Sequence, residues 1–223
     1  GYSLSPEGAA VIADKHSPAW MMGAVMATCA MYLGHDKVEK AFRGDGGMPW
    51  GDHAPCLFCG TAEFFRPVYE HFLIPQFIPA LSRGIERLKE NAVIADVGCG
   101  TGVSTMKLAE AYPKSHFVGM DFHQPSIAEA SQKASEMSLS NAEFVTASAK
   151  DYSGDYDLIC FFDCLHDMGD PVGIASYAKK RLKPGGSIML IEPFAFDSRI
   201  QNHEAAGSAF YGFSSFFCVP CSL

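Results

Sequence analysis

Apolar positions along the chain change rhythm once, near residue 90. Before that point the spacing is helical, with little strand character. Ser5-Pro6-Glu7 reads as an N-cap, a proline at the first helical position and an acid in the first turn, opening a helix to about Lys15. Ser17-Pro18 starts a long apolar helix, and Val38 to Phe42 predicts a short third one stopped by Gly44-Asp45-Gly46-Gly47. Met48 to Cys59 is an ordered loop. Thr61 to Phe72 and Pro79 to Lys89 are further helices, with Ile85 and Leu88 on one face of the second. After residue 90, short apolar runs alternate with helical ones. Strands are predicted at 93–97, 116–121, 143–147, 156–162 and 187–192, and helices at 103–111, 126–137 and 172–182. Ile127, Ala130 and Ala134 stripe the second of these helices, and Pro184-Gly185-Gly186 marks a turn before the last strand. The order predicts an α/β fold, a doubly wound parallel sheet whose ligands bind at the carboxyl ends of its strands. Residues 1–90 form a helical region and 91–223 the sheet domain.

Composition narrows the partners. Of 223 residues, 48% are apolar and 19% charged, which describes a folded chain. A net charge of −8 lacks the basic face that a nucleic-acid backbone requires, so no nucleic acid is expected. Residues 17–34 carry no charge, but they are richer in Ala, Met, Gly, Thr and Cys than in Leu, Ile or Phe, and no basic flank orients them. A buried helix at a domain or subunit contact fits better than a membrane span. There are eight cysteines and no secretory signal. Cys56-x-x-Cys59 and Cys218-x-x-Cys221 have the spacing of zinc knuckles, yet 158 residues separate the pairs. Free thiols of a reducing cytoplasm are the reading adopted, with no metal expected.

The chemistry concentrates in Val93-Ile94-Ala95-Asp96-Val97-Gly98-Cys99-Gly100-Thr101-Gly102. A buried strand breaks into a glycine turn and then opens a helix, leaving free N–H groups beside a backbone without Cβ atoms. The spacing is G-x-G-x-G, not the G-x-G-x-x-G of dinucleotide binders. Asp96, two residues ahead, would repel a pyrophosphate and suits a ligand carrying an ammonium and a sulfonium. Asp121 ends the second strand, where a carboxylate can hold both hydroxyls of a ribose, and Phe122 beside it offers a flat face for a purine. A tight turn accounts for the glycines and a helix cap for Asp121 when each is taken singly; the ordered set points to a ligand. This set resembles the class I S-adenosylmethionine-dependent methyltransferases over residues 91 to about 195. The resemblance implies a Rossmann-like sheet with S-adenosyl-L-methionine as cofactor. It places Gly98, Gly100 and Gly102 under the methionine portion and Asp121 on the ribose. Ala147-Ser148 stands where the family often has Gly-Asp, leaving Ser148 and Ala149 for the adenine end.

Leu158-Ile159-Cys160-Phe161-Phe162 is a continuous apolar strand followed by Asp163-Cys164-Leu165-His166-Asp167-Met168-Gly169-Asp170-Pro171. Asp163 is positioned to approach the methionine part. His166 takes up a proton near neutral pH without a shifted pKa, and Glu192 emerges from the next strand beside it. The run Cys164-Leu165-His166-Asp167 with Glu192-Pro193 is similar to small-molecule O-methyltransferases. That implies His166 as the base for an acceptor hydroxyl and Glu192 as its flanking acid. The alternative is that His166 caps the helix starting near Asp170, or packs. Gly1-Tyr2-Ser3-Leu4-Ser5-Pro6-Glu7-Gly8 resembles the last wing strand of a winged-helix dimerisation domain, and the whole pattern is similar to bacterial winged-helix methyltransferases. By that resemblance the chain is truncated at both ends, lacks the last two strands, and forms a homodimer when full-length. A methyltransferase acting on nitrogen, carbon or sulfur without a histidine base stays open, as does a winged-helix DNA-binding regulator. The aromatic segment Phe210 to Phe217 and the helical half are expected to supply an acceptor pocket.

Overall fold

A computed structural model describes residues 1–44, 46–81 and 85–222. Its helical half begins with α1 (Pro6–Ile12), where the Ser5 hydroxyl accepts from the Gly8 N–H at 3.1 Å. The wing strand read over residues 1–8 does not form: 1–5 pair with no strand, and the segment is helical from Pro6. The helices expected from Ser17 and at Val38 to Phe42 are one, α2 (Met22–Phe42), with Gly23, Ala27, Ala30, Gly34, Val38 and Ala41 on its buried stripe. Small side chains three and four apart let α3 (Pro55–Val68) lie against it. A Cβ on Gly23 would stand 2.2 Å from the Phe64 backbone nitrogen, so the two backbones nearly touch.

Much of the stretch read as a loop and a helix from Thr61 is α3 itself, entered through a short turn, Trp50–Asp52. It carries Pro67 inside and continues as a π-helical segment, Tyr69–Phe77. Pro67 has no N–H to return to the Glu63 carbonyl, so the i→i−4 ladder fails there and the register changes next to it. Of the helix expected over 79–89, the start is a short 3-10 turn, Ile78–Ala80, with Leu81 extended; residues 82–84 lie outside the described residues, and α4 spans Ile85–Glu90. Asp45 of the predicted glycine stop is likewise outside them.

Beyond residue 90 strand and helix alternate: β1 (Val93–Val97), α5 (Val103–Ala111), β2 (His116–Asp121), α6 (Gln124–Glu136), β3 (Ala142–Thr146), β4 (Tyr156–Phe162), α7 (Pro171–Lys180) and β5 (Leu182–Ile191). The strands form one parallel sheet in the order β3-β2-β1-β4-β5. Pro184-Gly185-Gly186 is not a turn before the last strand but a bulge within it. Tyr156 pairs with Leu182 and Leu158 with Ser187, and Gly185 takes a φ of +74° to absorb the extra residues.

Alternate residues of the central strands feed two cores. Ile94, Leu158, Cys160 and Phe162 pack with Leu73, Leu108 and Phe117 on one face. Ala95, Val97, Ile159 and Phe161 pack with Met120, Ile174 and Ala178 on the other. Both faces are covered, which is why β1, but for Asp96, and β4 from Leu158 onward read as apolar runs. The strand order reverses between β1 and β4, so a crevice opens at their carboxyl ends. The aromatic segment near the end is helical, α8 (Ala205–Phe216) followed by α9 (Cys218–Ser222). Phe217 is buried with Ala27, Ala30 and Leu57 of the helical half, so this helix pair closes over the crevice. No helix among the described residues is long and apolar enough to cross a membrane.

Candidate functional site

The β1–α5 turn uses its three glycines differently, although all have positive φ. The N–H groups of Gly98 and Cys99 both donate to the Met120 carbonyl, which binds the turn to β2. A Cβ at Gly98 would lie 2.8 Å from the Cys164 sulfur. Gly102 is the left-handed N-cap of α5, and a Cβ there would lie 2.5 Å from the Phe144 ring. Gly100 alone has open space where its Cβ would be. Gly98 and Gly100 line a cavity of about 700 Å³, and Gly102 does not. The Cα side of Gly102 is filled by Phe144 and Ala130.

Asp96 is 1% exposed and does not line the cavity. The Ser104 and Thr105 hydroxyls both donate to its Oδ2 at 2.6 Å, tying β1 to the first turn of α5, while Oδ1 has no partner. Burial pushes its carboxyl up to about 6, against the pull of the two hydroxyls. The residue braces the turn from behind.

Asp121 does reach the cavity. Its Oδ2 accepts from the Gly100 N–H at 3.0 Å and its Oδ1 from the His123 N–H at 2.8 Å, which fixes the carboxylate across the turn. Burial raises its pKa, partly opposed by those N–H donors. Phe122, Ser148 and Ala149 line the same end, with Phe122 60% exposed and free to present its ring. Lys150 joins them and is the one Lys or Arg among the described lining residues.

At the carboxyl end of β4 the chain leaves the sheet through Asp163, held at a φ of +54° with its N–H on the Ile191 carbonyl. A non-glycine residue in that region costs about 1–3 kcal/mol. Burial pushes its carboxyl up to about 7, with His166 opposing. A single helical turn, Leu165–Asp167, then presents His166. Glu192 reaches back from the end of β5: Oε1 accepts from the Leu165 N–H at 2.9 Å, and Oε2 lies 2.5 Å from His166 Nδ1. Nε2 faces the other way, 3.7 Å from Cys218 Sγ and 3.4 Å from Asp167 Oδ1. The Cys218 sulfur and then Glu192 push the His166 pKa up to about 11, against burial. His166 does not cap α7, because the Asp170 carboxylate does so from the Gly173 N–H at 2.9 Å.

The cavity thus joins Gly98, Gly100, Asp121, Phe122, Ser148, Ala149, Asp163, His166 and Glu192 of the residues singled out in the sequence; Asp96 and Gly102 stand outside it. Its far wall comes from the helical half and from α8, with Trp50, Phe58, Phe65, Tyr69, Tyr211 and Phe213. Asp167, Cys218 and Cys221 also line it, and sequence reasoning had not placed the two cysteines there. The Cys-x-x-Cys spacing was visible, but nothing in the sequence indicated that the second pair folds back onto His166.

Residues 88–212, more than half of the chain, match the family described as methyltransferase domain. Trans-aconitate 2-methyltransferase of Deinococcus radiodurans is 30% identical over 106 residues, covering 48% of this chain and 40% of that protein. Demethylmenaquinone methyltransferase of Bacillus subtilis is 29% identical over 112 residues, 48% of each chain. Among solved structures, PKMT2 of Rickettsia typhi in complex with AdoHcy is 30% identical, covers 46% of this chain and 21% of that one, and gives a TM-score of 0.43. The chain spans less than half the length of each of these relatives.

Proposed function

Because the chain belongs to the methyltransferase-domain family, we propose that it moves a methyl group from S-adenosyl-L-methionine to the hydroxyl of a small apolar acceptor, with His166 taking the hydroxyl proton. The observation that carries this reading is one cavity with a glycine–carboxylate turn at one end and the His166–Glu192 pair at the other. The residues at the first end suit the cofactor. Gly100 leaves room for a ligand on the backbone, Asp121 holds a fixed carboxylate for a ribose, and Phe122 offers a face for adenine. The cofactor supplies an electrophilic methyl on a sulfonium.

The chain's own residues do the rest. Glu192 holds Nδ1 of His166 and leaves Nε2 toward the cavity, the orientation in which an imidazole removes a proton from a bound hydroxyl. With its pKa pushed up to about 11 the imidazole is protonated at neutral pH, so His166 would serve as the base only where the positive charge of a bound cofactor lowered that value. The aromatic walls from α3 and α8 hold the acceptor and exclude water, so positioning contributes much of the rate. Asp163, Asp167 and Glu192 crowd the acceptor end, where no Lys or Arg is found among the described lining residues. A carboxylate acceptor of the kind named for the Deinococcus relative is disfavoured there, and a neutral hydroxyl is favoured.

The test is transfer of labelled methyl from the cofactor to panels of phenols, alcohols, amines and carboxylates, comparing wild type with His166→Ala. Methylation of hydroxyls is expected, lowered about 10²–10⁴-fold in the variant. Transfer confined to carboxylates, or equal turnover in both proteins, would refute the hydroxyl-and-base reading.

A further inference from the structure

His166, Asp167 and Cys218 come together although the histidine and the cysteine are 52 positions apart in the chain. One donor atom from each lies within 4.8 Å of the other two. Nε2 stands 3.7 Å from Sγ and 3.4 Å from Oδ1. In a tetrahedral zinc site, with zinc–sulfur at about 2.3 Å and zinc–nitrogen or –oxygen at about 2.0–2.1 Å, neighbouring ligand atoms are about 3.6 Å apart for sulfur and nitrogen and about 3.3 Å for nitrogen and oxygen. Both spacings match. A thiol–imidazole hydrogen bond accounts for the first distance alone. It does not account for Asp167 Oδ1, which is buried without a hydrogen bond and meets the same Nε2 only as a 3.4 Å charge contact.

The far side of the imidazole has the arrangement that metal-bound histidines use. Nδ1 is held by the Glu192 carboxylate, which fixes the tautomer and strengthens Nε2 as a donor. One nitrogen, one oxygen and one sulfur make a borderline donor set that suits zinc better than calcium or magnesium. We propose that His166, Asp167 and Cys218 form a zinc site at the acceptor end of the cavity. With three protein ligands, the fourth position is left to water or to an acceptor heteroatom. A zinc ion uses the same Nε2 lone pair that proton abstraction needs, so a zinc-loaded chain and a working His166 base exclude one another.

The test needs no acceptor, so its failure leaves the methyl-transfer reading standing and failure of that reading leaves the zinc site testable. The metal-stripped chain is titrated with zinc and bound metal is counted after dialysis. Cobalt is titrated in parallel for its thiolate charge-transfer absorption. One equivalent is expected, with the cobalt absorption lost in Cys218→Ala and zinc binding weakened in Asp167→Asn. Glu192→Gln, which loosens only the outer hydrogen bond, is expected to weaken zinc about 10–100-fold. Cys29→Ala, at an exposed cysteine, is the control for thiols in general. Circular dichroism confirms that each variant is folded, and Asp167→Asn decides the matter if Cys218→Ala is not. No zinc retained by the wild type, or equal retention in Cys218→Ala, Asp167→Asn and Cys29→Ala, overturns the proposal.

Discussion

Two glycines two residues apart should fail in opposite ways when given a methyl group. Gly100 and Gly102 have φ values of +53° and +78°, so alanine at either costs about 1–2 kcal/mol in backbone strain. At Gly102 the new Cβ also meets Phe144 Cε1 at 2.5 Å, Cζ at 2.7 Å and Ala130 Cβ at 3.0 Å, all in a packed wall between the turn, β3 and α6. Overpacking of that kind adds about 1–3 kcal/mol. For a chain of this size, Gly102→Ala should melt about 2–12 °C below Gly100→Ala on that difference alone. At Gly100 the Cβ meets nothing within 4 Å and points where the ligand is proposed to lie. The same 1–3 kcal/mol then falls on the complex, weakening S-adenosylhomocysteine about 5- to 150-fold. Thermal unfolding without ligand and calorimetric titration with it separate the two effects. If Gly100→Ala binds as the wild type does, or melts as low as Gly102→Ala, the division of roles within the turn is wrong.

Asp96 sets a pH signature. Its folded pKa of about 6 lies above the unfolded value of about 3.9, so the folded chain holds that proton more tightly. The associated stability is fully present below about pH 3.9 and is lost as pH rises through about 6, a change of about 3 kcal/mol. Denaturant unfolding across pH 4 to 7 should therefore fall more steeply for wild type than for Asp96→Asn; parallel curves would refute the assignment. Gly23→Ala places a Cβ 2.2 Å from the Phe64 nitrogen, a backbone atom that cannot turn aside, and should destabilise by at least about 3 kcal/mol. Melting within about 2 °C of wild type would show that the α2–α3 crossing is looser than described.

The sheet domain was readable because its signals are local and repeated. Each strand is a short apolar run with its own breaker, and all five appeared within a few residues of their expected places, β5 beginning early through its bulge. The helical half was read less well because its pattern is ambiguous at the junctions. Gly34 inside α2 looks like a stop when the chain is read alone. It is a position on the buried stripe once the helix runs on to Phe42. The helix expected from Thr61 stops at Phe72, short of Pro75, but the chain continues past that proline by changing helix type.

The candidate site shows the same division between local and long-range information. Asp121, His166 and Glu192 were legible because each follows a strand by a fixed few residues, and parallel strands bring such positions to one crevice. The bracing role of Asp96 was not legible for a related reason. Its distance from the glycines says that it is near the turn, and only the side chains on α5 decide which side of the turn it serves. Ser104 and Thr105 carry the two hydroxyls that turn it inward. Cys218 lies at the opposite extreme. Its place beside His166 depends on α8 and α9 packing over α2 and the Leu165–Asp167 turn, a contact that no spacing rule encodes. The end of the cavity where the acceptor is proposed to bind is thus built by long-range packing, whereas the cofactor end is built from strand termini. That is why the sequence indicates a cofactor more sharply than an acceptor, and why the acceptor must be sought by assay at the His166–Cys218 end.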